Sequence, residues 1–397
     1  MTRATTSTLD QQLPLDQIGP LDHHRRRWLA LMSLAVGAAT LAPSAGAAIK
    51  APPARRLIKP AQLKRGDLIG LTAPSGSTNA TYLEQRVKHL EASGFKVKVS
   101  KNILAVRGNT AGTIAERVAD LHEMFSDRDV RAIWTLRGGS GASQLLPAID
   151  YGLIRRHPKI FIGFSDITAL HLAILRHAGL VTFHGPTAPS PNISDYSMTQ
   201  LEAVLMHPRQ QTTLYMSAEN QREAERANPQ AGEFKLRTLV PGVAEGPLVG
   251  GNLAVLSALI GTPYAPDWRG ALLFLEEIRE APYRIDRMLT QLAQSQSFND
   301  AAGVMLGVFR RSVDSLGPTP ATSATGTTAT TTTPDTEPRL PLEMAINDHF
   351  AKLRVPAMYG LSFGHIGHNM TLPLGVRARM DTEAQTVTLL EAAVTER

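Results

Sequence analysis

No cysteine occurs among the 397 residues. Disulfide scaffolds, thiol nucleophiles, cysteine-ligated zinc and cysteine-ligated iron–sulfur clusters are thereby excluded. Any covalent catalysis must use an oxygen or nitrogen nucleophile. Aromatic side chains are few, at 5% with three tryptophans. Glycine (31) and proline (26) are not in excess, so collagen-like and wholly disordered chains do not fit. No block of one charge stands out. The net charge of +6 is scattered along the chain, which gives no footprint for nucleic acid and leaves an anionic substrate or surface compatible. No internal repeat is visible. What is present is ordinary globular composition, 43% hydrophobic and 19% charged, in a chain long enough for two cores.

Residues 1–47 read as an export signal. Arg25, Arg26 and Arg27 stand directly before Trp28-Leu29-Ala30-Leu31-Met32, and small apolar residues continue to about Leu41. Ala45-Gly46-Ala47 then supplies the residues a signal peptidase accepts. The arginines suggest the twin-arginine route. The apolar run is short of the roughly 20 residues of a membrane-spanning helix, although an uncleaved anchor is the alternative. The expected location is periplasmic, or cytoplasmic if the signal is not used, with no stable membrane span after processing. Residues 48–63 are expected to form a mobile leader.

From Asp67 the pattern alternates between short apolar runs and amphipathic stretches. Strands are expected at Asp67 to Ala73, Lys96 to Val99, Val130 to Leu136, Ile160 to Gly163 and Val181 to Phe183. Helices are expected at Tyr82 to Glu91, Ile114 to Phe125 and Thr168 to His177, the second opened by a capping box of Thr113 and Glu116. Strands separated by helices imply right-handed crossovers and a parallel sheet, with ligands at the carboxyl ends of the strands. This gives an N-terminal α/β domain over 64–190. The polar stretch Asn220 to Lys235 breaks the pattern, and 191–240 reads as a linker with a charged insertion. A C-terminal domain over 241–397 has more strand character, including one strand from Leu374 to Met380. Residues 314–338 contain ten threonines among 25 residues and read as a disordered surface loop.

Four places could carry chemistry. Ser165, in Gly163-Phe164-Ser165-Asp166, falls between a strand and a helix. It is either a nucleophile lifted to the sheet edge or an N-cap serine, since G-x-S-x-G is absent. Arg137-Gly138-Gly139-Ser140-Gly141 also follows a strand, and its glycines and arginine suit a carboxylate or oxyanion better than a phosphate. Glu276 and Glu277 end an apolar run, as either a solvated strand end or a group that orients a base. His365 lies just past another strand, with His368 three residues on; no acidic ligand at zinc spacing accompanies them. In the order Ser165, Glu276, His365, the chain offers a hydroxyl, a carboxylate and an imidazole.

The chain resembles the LD-carboxypeptidase family of muramoyl-tetrapeptide carboxypeptidases, which includes the microcin C immunity peptidases. The likeness rests on motifs in order over about Lys64 to Leu390: GDLIGLTAPSG from Gly66, LRGGSGASQLLPAID from Leu136, IGFSDITALH from Ile162, TFHGP from Thr182, VGGNLAVLSALIGTPY from Val249, LFLEEIREAPYRIDRML from Leu273 and GLSFGHIGHNMTLPLG from Gly360. The resemblance implies an α/β protein, with an amidotransferase-like N-terminal parallel-sheet domain and a smaller β-rich C-terminal domain, often dimeric. It implies a serine carboxypeptidase that removes D-alanine from an L,D-linked murein tetrapeptide without a cofactor or metal. Its catalytic positions fall on Ser165, Glu276 and His365, not His368. Its oxyanion hole falls on the backbone amides of Asp166 and Gly139; Arg137 and Gly138 stand at its Arg-Gly-Gly position, where the donors of Arg137 are read here as binding the substrate carboxylate. The insertions near Asn220 and after Asp314, and the export signal, depart from well-known cytoplasmic members. A peptidyl-nucleotide substrate, and a silent murein-peptide binding protein, are the alternatives; the first would need an aromatic platform that the sequence does not obviously supply.

Overall fold

A computed structural model describes residues 56–226, 231–311 and 340–396. The expected signal at 1–47 and the Thr/Pro loop at 314–338 lie outside the described residues. The expected leader needs correction, because its last residues are part of the folded body. The Ile58 amide donates to the Gly179 carbonyl at 2.7 Å, Lys59 pairs with Glu391 at 2.6 Å, and Leu63 is buried. An apolar residue at each end of this short segment is enough to dock it.

The first sheet follows from the alternating pattern. Its elements are β1 (Leu68–Thr72), α1 (Ala80–Ala92), β2 (Lys96–Val99), α2 (Ile114–Ser126), β3 (Val130–Thr135), α3 (Tyr151–Arg156), β4 (Ile160–Gly163), α4 (Thr168–Ala178) and β5 (Thr182–His184). Strands β1 to β5 run parallel. Local sequence sets the helix ends. Asn79 Oδ1 accepts from the Tyr82 amide at the start of α1, and the capping box of Thr113 and Glu116 forms at the start of α2. The β3 and β4 side chains are buried almost throughout, as expected of strands covered by helices on both faces.

The chain continues through α5 (Asp195–Leu205), β6 (Thr212–Tyr215), α6 (Ala218–Ala224), β7 (Arg237–Val240), β8 (Val243–Asn252), α7 (Leu253–Ala258), β9 (Leu272–Ile278), α8 (Pro282–Ser295), β10 (Gly303–Arg310), α9 (Leu342–Phe350), β11 (Ala357–Gly364), β12 (Leu372–Leu374), β13 (Arg377–Asp381) and β14 (Thr386–Leu389). Eight strands form the second sheet in the order β6-β14-β13-β8-β9-β10-β11-β7. Its centre, β8 to β11, is parallel, and its flanks are antiparallel. The segment 191–240, expected as a linker, supplies both edge strands of this sheet, β6 and β7.

The stretch Leu374 to Met380, expected as one strand, divides between the two sheets. β12 pairs antiparallel with β5, making the first sheet six-stranded in the order β12-β5-β4-β3-β1-β2, whereas β13 pairs with β8. Pro373, which cannot donate to a ladder, and Gly375 at φ 87° mark the change of sheet. A single apolar core runs through both sheets, joining Ile162 and Phe183 to Phe274, Leu361 and Leu372. Among the described residues, no helix is long and apolar enough to cross a membrane.

Candidate active site

Ser165 occupies the sharp turn between β4 and α4. Phe164 is extended, Ser165 has φ of 65°, and one 3-10 turn over Ser165–Ile167 leads into α4. A non-glycine residue in this region costs about 1–3 kcal/mol and persists only where its surroundings impose it. The hydroxyl does not serve as a helix cap. Ser165 Oγ lies 2.9 Å from His365 Nε2, and His365 Nδ1 lies 2.7 Å from Glu276 Oε2. The three side chains come from the end of β4, from β9 and from the turn just past β11, so both sheets contribute.

The surroundings set the charges. Burial opposes ionisation of Glu276, but the charge and hydrogen bond of His365 outweigh it and hold the carboxyl below its ordinary value. Burial likewise pulls the His365 imidazole down, and Glu276 more than reverses this, leaving it above the ordinary histidine value. Glu277, next along β9, is pushed up to about 7 by burial and by the neighbouring Glu276 charge. It accepts from Asn252 Nδ2 at 3.1 Å and from the amides of Ala254 at 2.7 Å and Ile278 at 2.8 Å. Behind the trio, His184 at the end of β5 is fully buried and drawn down to about 4 by that burial. Its two ring nitrogens and Glu276 Oε1 have no hydrogen-bond partner among the described residues.

Two loops close on the serine. Asp166 Oδ2 accepts from Ser75 Oγ at 2.5 Å and from the Ala142 amide at 2.8 Å, tying the turns after β1 and β3 to the elbow. The buried Arg117 guanidinium donates to the carbonyls of Pro74 and Gly141, both at 3.0 Å. Gly138 must be glycine, since a Cβ there would stand 2.8 Å from Ser165 Cβ and 3.0 Å from its Oγ. The amides of Gly139 and Asp166 donate to no backbone carbonyl among the described residues. Arg137 is exposed and donates to the Ser77 carbonyl at 2.9 Å; it lines neither of the cavities described here.

A cleft of about 790 Å³ opens from His365, Ile366, Gly367 and His368. Its far wall is α6 with the residues after it, so the charged stretch near Asn220 borders the site rather than lying on remote surface. Arg222, Arg226 and Arg310 face it together with Glu219 and Glu225. His368 belongs to this wall, where its carbonyl accepts from Asn220 Nδ2 at 2.8 Å. Among the described residues, no group of three or more histidine and acidic side chains could hold a metal ion. Asp166 as a loop tie, Arg117, His184 and the Glu277–Asn252 pair were not singled out in the sequence. The place of His184 within the TFHGP motif was the one signal available for it.

The arrangement is a hydroxyl within hydrogen-bond distance of an imidazole, which in turn is held by a buried carboxylate. Residues 69–185 match the LD-carboxypeptidase N-terminal domain, and residues 245–380 match the LD-carboxypeptidase C-terminal domain. A probable murein peptide carboxypeptidase of Bacillus subtilis is 38% identical over 85% of this chain and 96% of its own length. A murein tetrapeptide carboxypeptidase of Pseudomonas aeruginosa is 31% identical, covering 79% and 92%. The crystal structure of an MccF-like protein from Bacillus anthracis superposes with a TM-score of 0.68 at 28% identity, covering 84% of this chain and 99% of that one. The chain belongs to the LD-carboxypeptidase family and is a serine-type carboxypeptidase, a hydrolase.

Proposed function

We propose that this protein removes the terminal D-alanine from L,D-linked murein tetrapeptides through an acyl-enzyme on Ser165. The observation that carries the reading is the continuous hydrogen-bonded path from Ser165 Oγ through His365 to Glu276. His365 Nε2 takes the hydroxyl proton as Oγ attacks the scissile carbonyl, and Nδ1–H stays on Glu276, which stabilises the imidazolium. The amides of Gly139 and Asp166 receive the oxyanion. As the C–N bond breaks, His365 returns the proton to the amine of D-alanine. Water then attacks the ester, with His365 again as base, and releases the shortened peptide.

The mixed charges of the large cleft suit a peptide that carries both carboxylates and an amine. A nucleotide-bearing substrate has less support. Phe234, the non-histidine aromatic side chain lining that cleft, is buried with Arg310 over its ring at 5.0 Å, which leaves no open face for a base. Arg25–Arg27 and the apolar run after them, read as an export signal, support a periplasmic reaction, where stem peptides of the wall itself are within reach.

Mass spectrometry of purified tetrapeptide after incubation with the protein is expected to show the loss of one alanine. An intact tetrapeptide, or cleavage at another bond, contradicts the reading. Release from isolated sacculi as well as free peptide separates action on the wall from recycling.

The rate should also depend on pH in a defined direction. His365 acts only when neutral, and its proton affinity is raised, so kcat/KM falls as pH drops through a value above the ordinary histidine pKa of about 6.5. The charged or titratable groups facing this ring are Glu276, Glu277, Arg279 and His184. Glu277 titrates in the same window, and the Glu277→Gln variant separates the two because the limb due to His365 remains. An acid limb below about 6 would contradict the coupling to Glu276.

A further inference from the structure

A second, smaller cavity lies on the other side of the Ile366–Gly367 turn, which lines both cavities. It has a volume of about 150 Å³ and is bordered by Phe164, one residue from Ser165. Its walls are part apolar, from Pro186, Ala188 and Ile193, and part polar, from Ser197 and Asn369, and the charged residue on it is Arg86 of α1. The guanidinium of Arg86 lies over the Tyr82 ring at 4.2 Å, which fixes its place. Among the described residues it has no carboxylate partner, and its Nε is buried without a hydrogen bond. A buried donor left unsatisfied is costly, and such groups in native proteins commonly mark a ligand or function.

An enzyme that cuts only the last residue must recognise a free terminal carboxylate and exclude longer chains. The larger cleft carries charges of both signs, whereas this cavity has room for one small residue and sets apolar and small polar side chains beside a single cation. We propose that the cavity is the leaving-group subsite and that Arg86 receives the terminal carboxylate of the departing alanine. The inference rests on the reaction assigned above. Arg86 would be a specificity-determining residue, acting through the two-pronged geometry that suits guanidinium to carboxylate. Arg137, the arginine that the sequence suggested for this task, would not fill the role, since it donates to Ser77 outside the cavity.

The test compares an L,D-tetrapeptide with a free terminal carboxylate against the same peptide as its terminal amide. The unaltered protein is expected to favour the acid by on the order of 10²-fold in kcat/KM. In Arg86→Gln the ratio of acid to amide should fall to near one, chiefly through a higher KM for the acid. Arg86→Lys, which keeps the charge but loses the fork, should lie between. A ratio in Arg86→Gln within threefold of the unaltered protein overturns the assignment. So does equal loss on both substrates, which marks a structural role, or a collapse of the ratio in Arg137→Gln instead. If the unaltered protein cleaves neither peptide, the underlying reaction is wrong rather than the subsite.

Discussion

Replacing Ser165 by alanine lowers kcat by roughly 10³-fold or more, with little change in KM. The substitution removes one oxygen and leaves the cavities, the loops tied by Asp166 and the Glu276–His365 pair in place. The loss therefore falls on bond making, not on binding. Alanine keeps the Cβ that makes the left-handed conformation at residue 165 costly, so the strain at the turn is unchanged and the variant should melt close to the parent. Steady-state kinetics on the tetrapeptide and a thermal melt check both parts. Turnover within tenfold of the parent would remove Ser165 from the mechanism.

Glu276→Gln is the second large effect, expected to lower kcat by about 10⁴-fold. The neutral amide keeps the volume of the side chain but withdraws the charge that compensates the imidazolium, at a position with no solvent access. The residual activity carries a signature. Without the carboxylate, burial is the main influence left on His365, and burial lowers its proton affinity. The acid limb of kcat/KM should then move to lower pH than in the parent. A rate loss with an unmoved limb would mean that Glu276 only supports packing.

The sequence makes the five parallel strands of the first sheet legible because four are short apolar runs closed by turn signals and β2 alternates lysine with valine, while caps mark the starts of α1 and α2. Ser165, Glu276 and His365 each follow such a run, where parallel strands deliver side chains to one edge, but position alone leaves an N-cap serine and a solvated strand end as alternatives, and it is the likeness of the motifs that singles the three out. What escapes is set by partners far along the chain. Within Leu374 to Met380, Leu374 belongs to the strand that pairs with β5 and Arg377 onward to the strand that pairs with β8; Gly375 is a local sign of the break, but the two partners lie far along the chain. Arg117 looks like any polar residue on an amphipathic helix until two distant carbonyls surround it. Arg86 likewise reads as solvated charge, since its cavity is built from residues between 78 and 283 positions away. The charged stretch near Asn220 reads as surface because its helix is polar, and only the tertiary arrangement turns it toward His365.

The segment that carries His365 is anchored at both ends in different sheets, by β11 before it and by β12 after it. The halves of this protein are consequently not separable parts that swing on a hinge: parting them would peel β12 from β5. The base is thus held against the serine by the same stitching that keeps the molecule whole. A fragment ending before β12 would leave β5 as a bare, hydrophobic edge, prone to pair with its own copies rather than to fold alone.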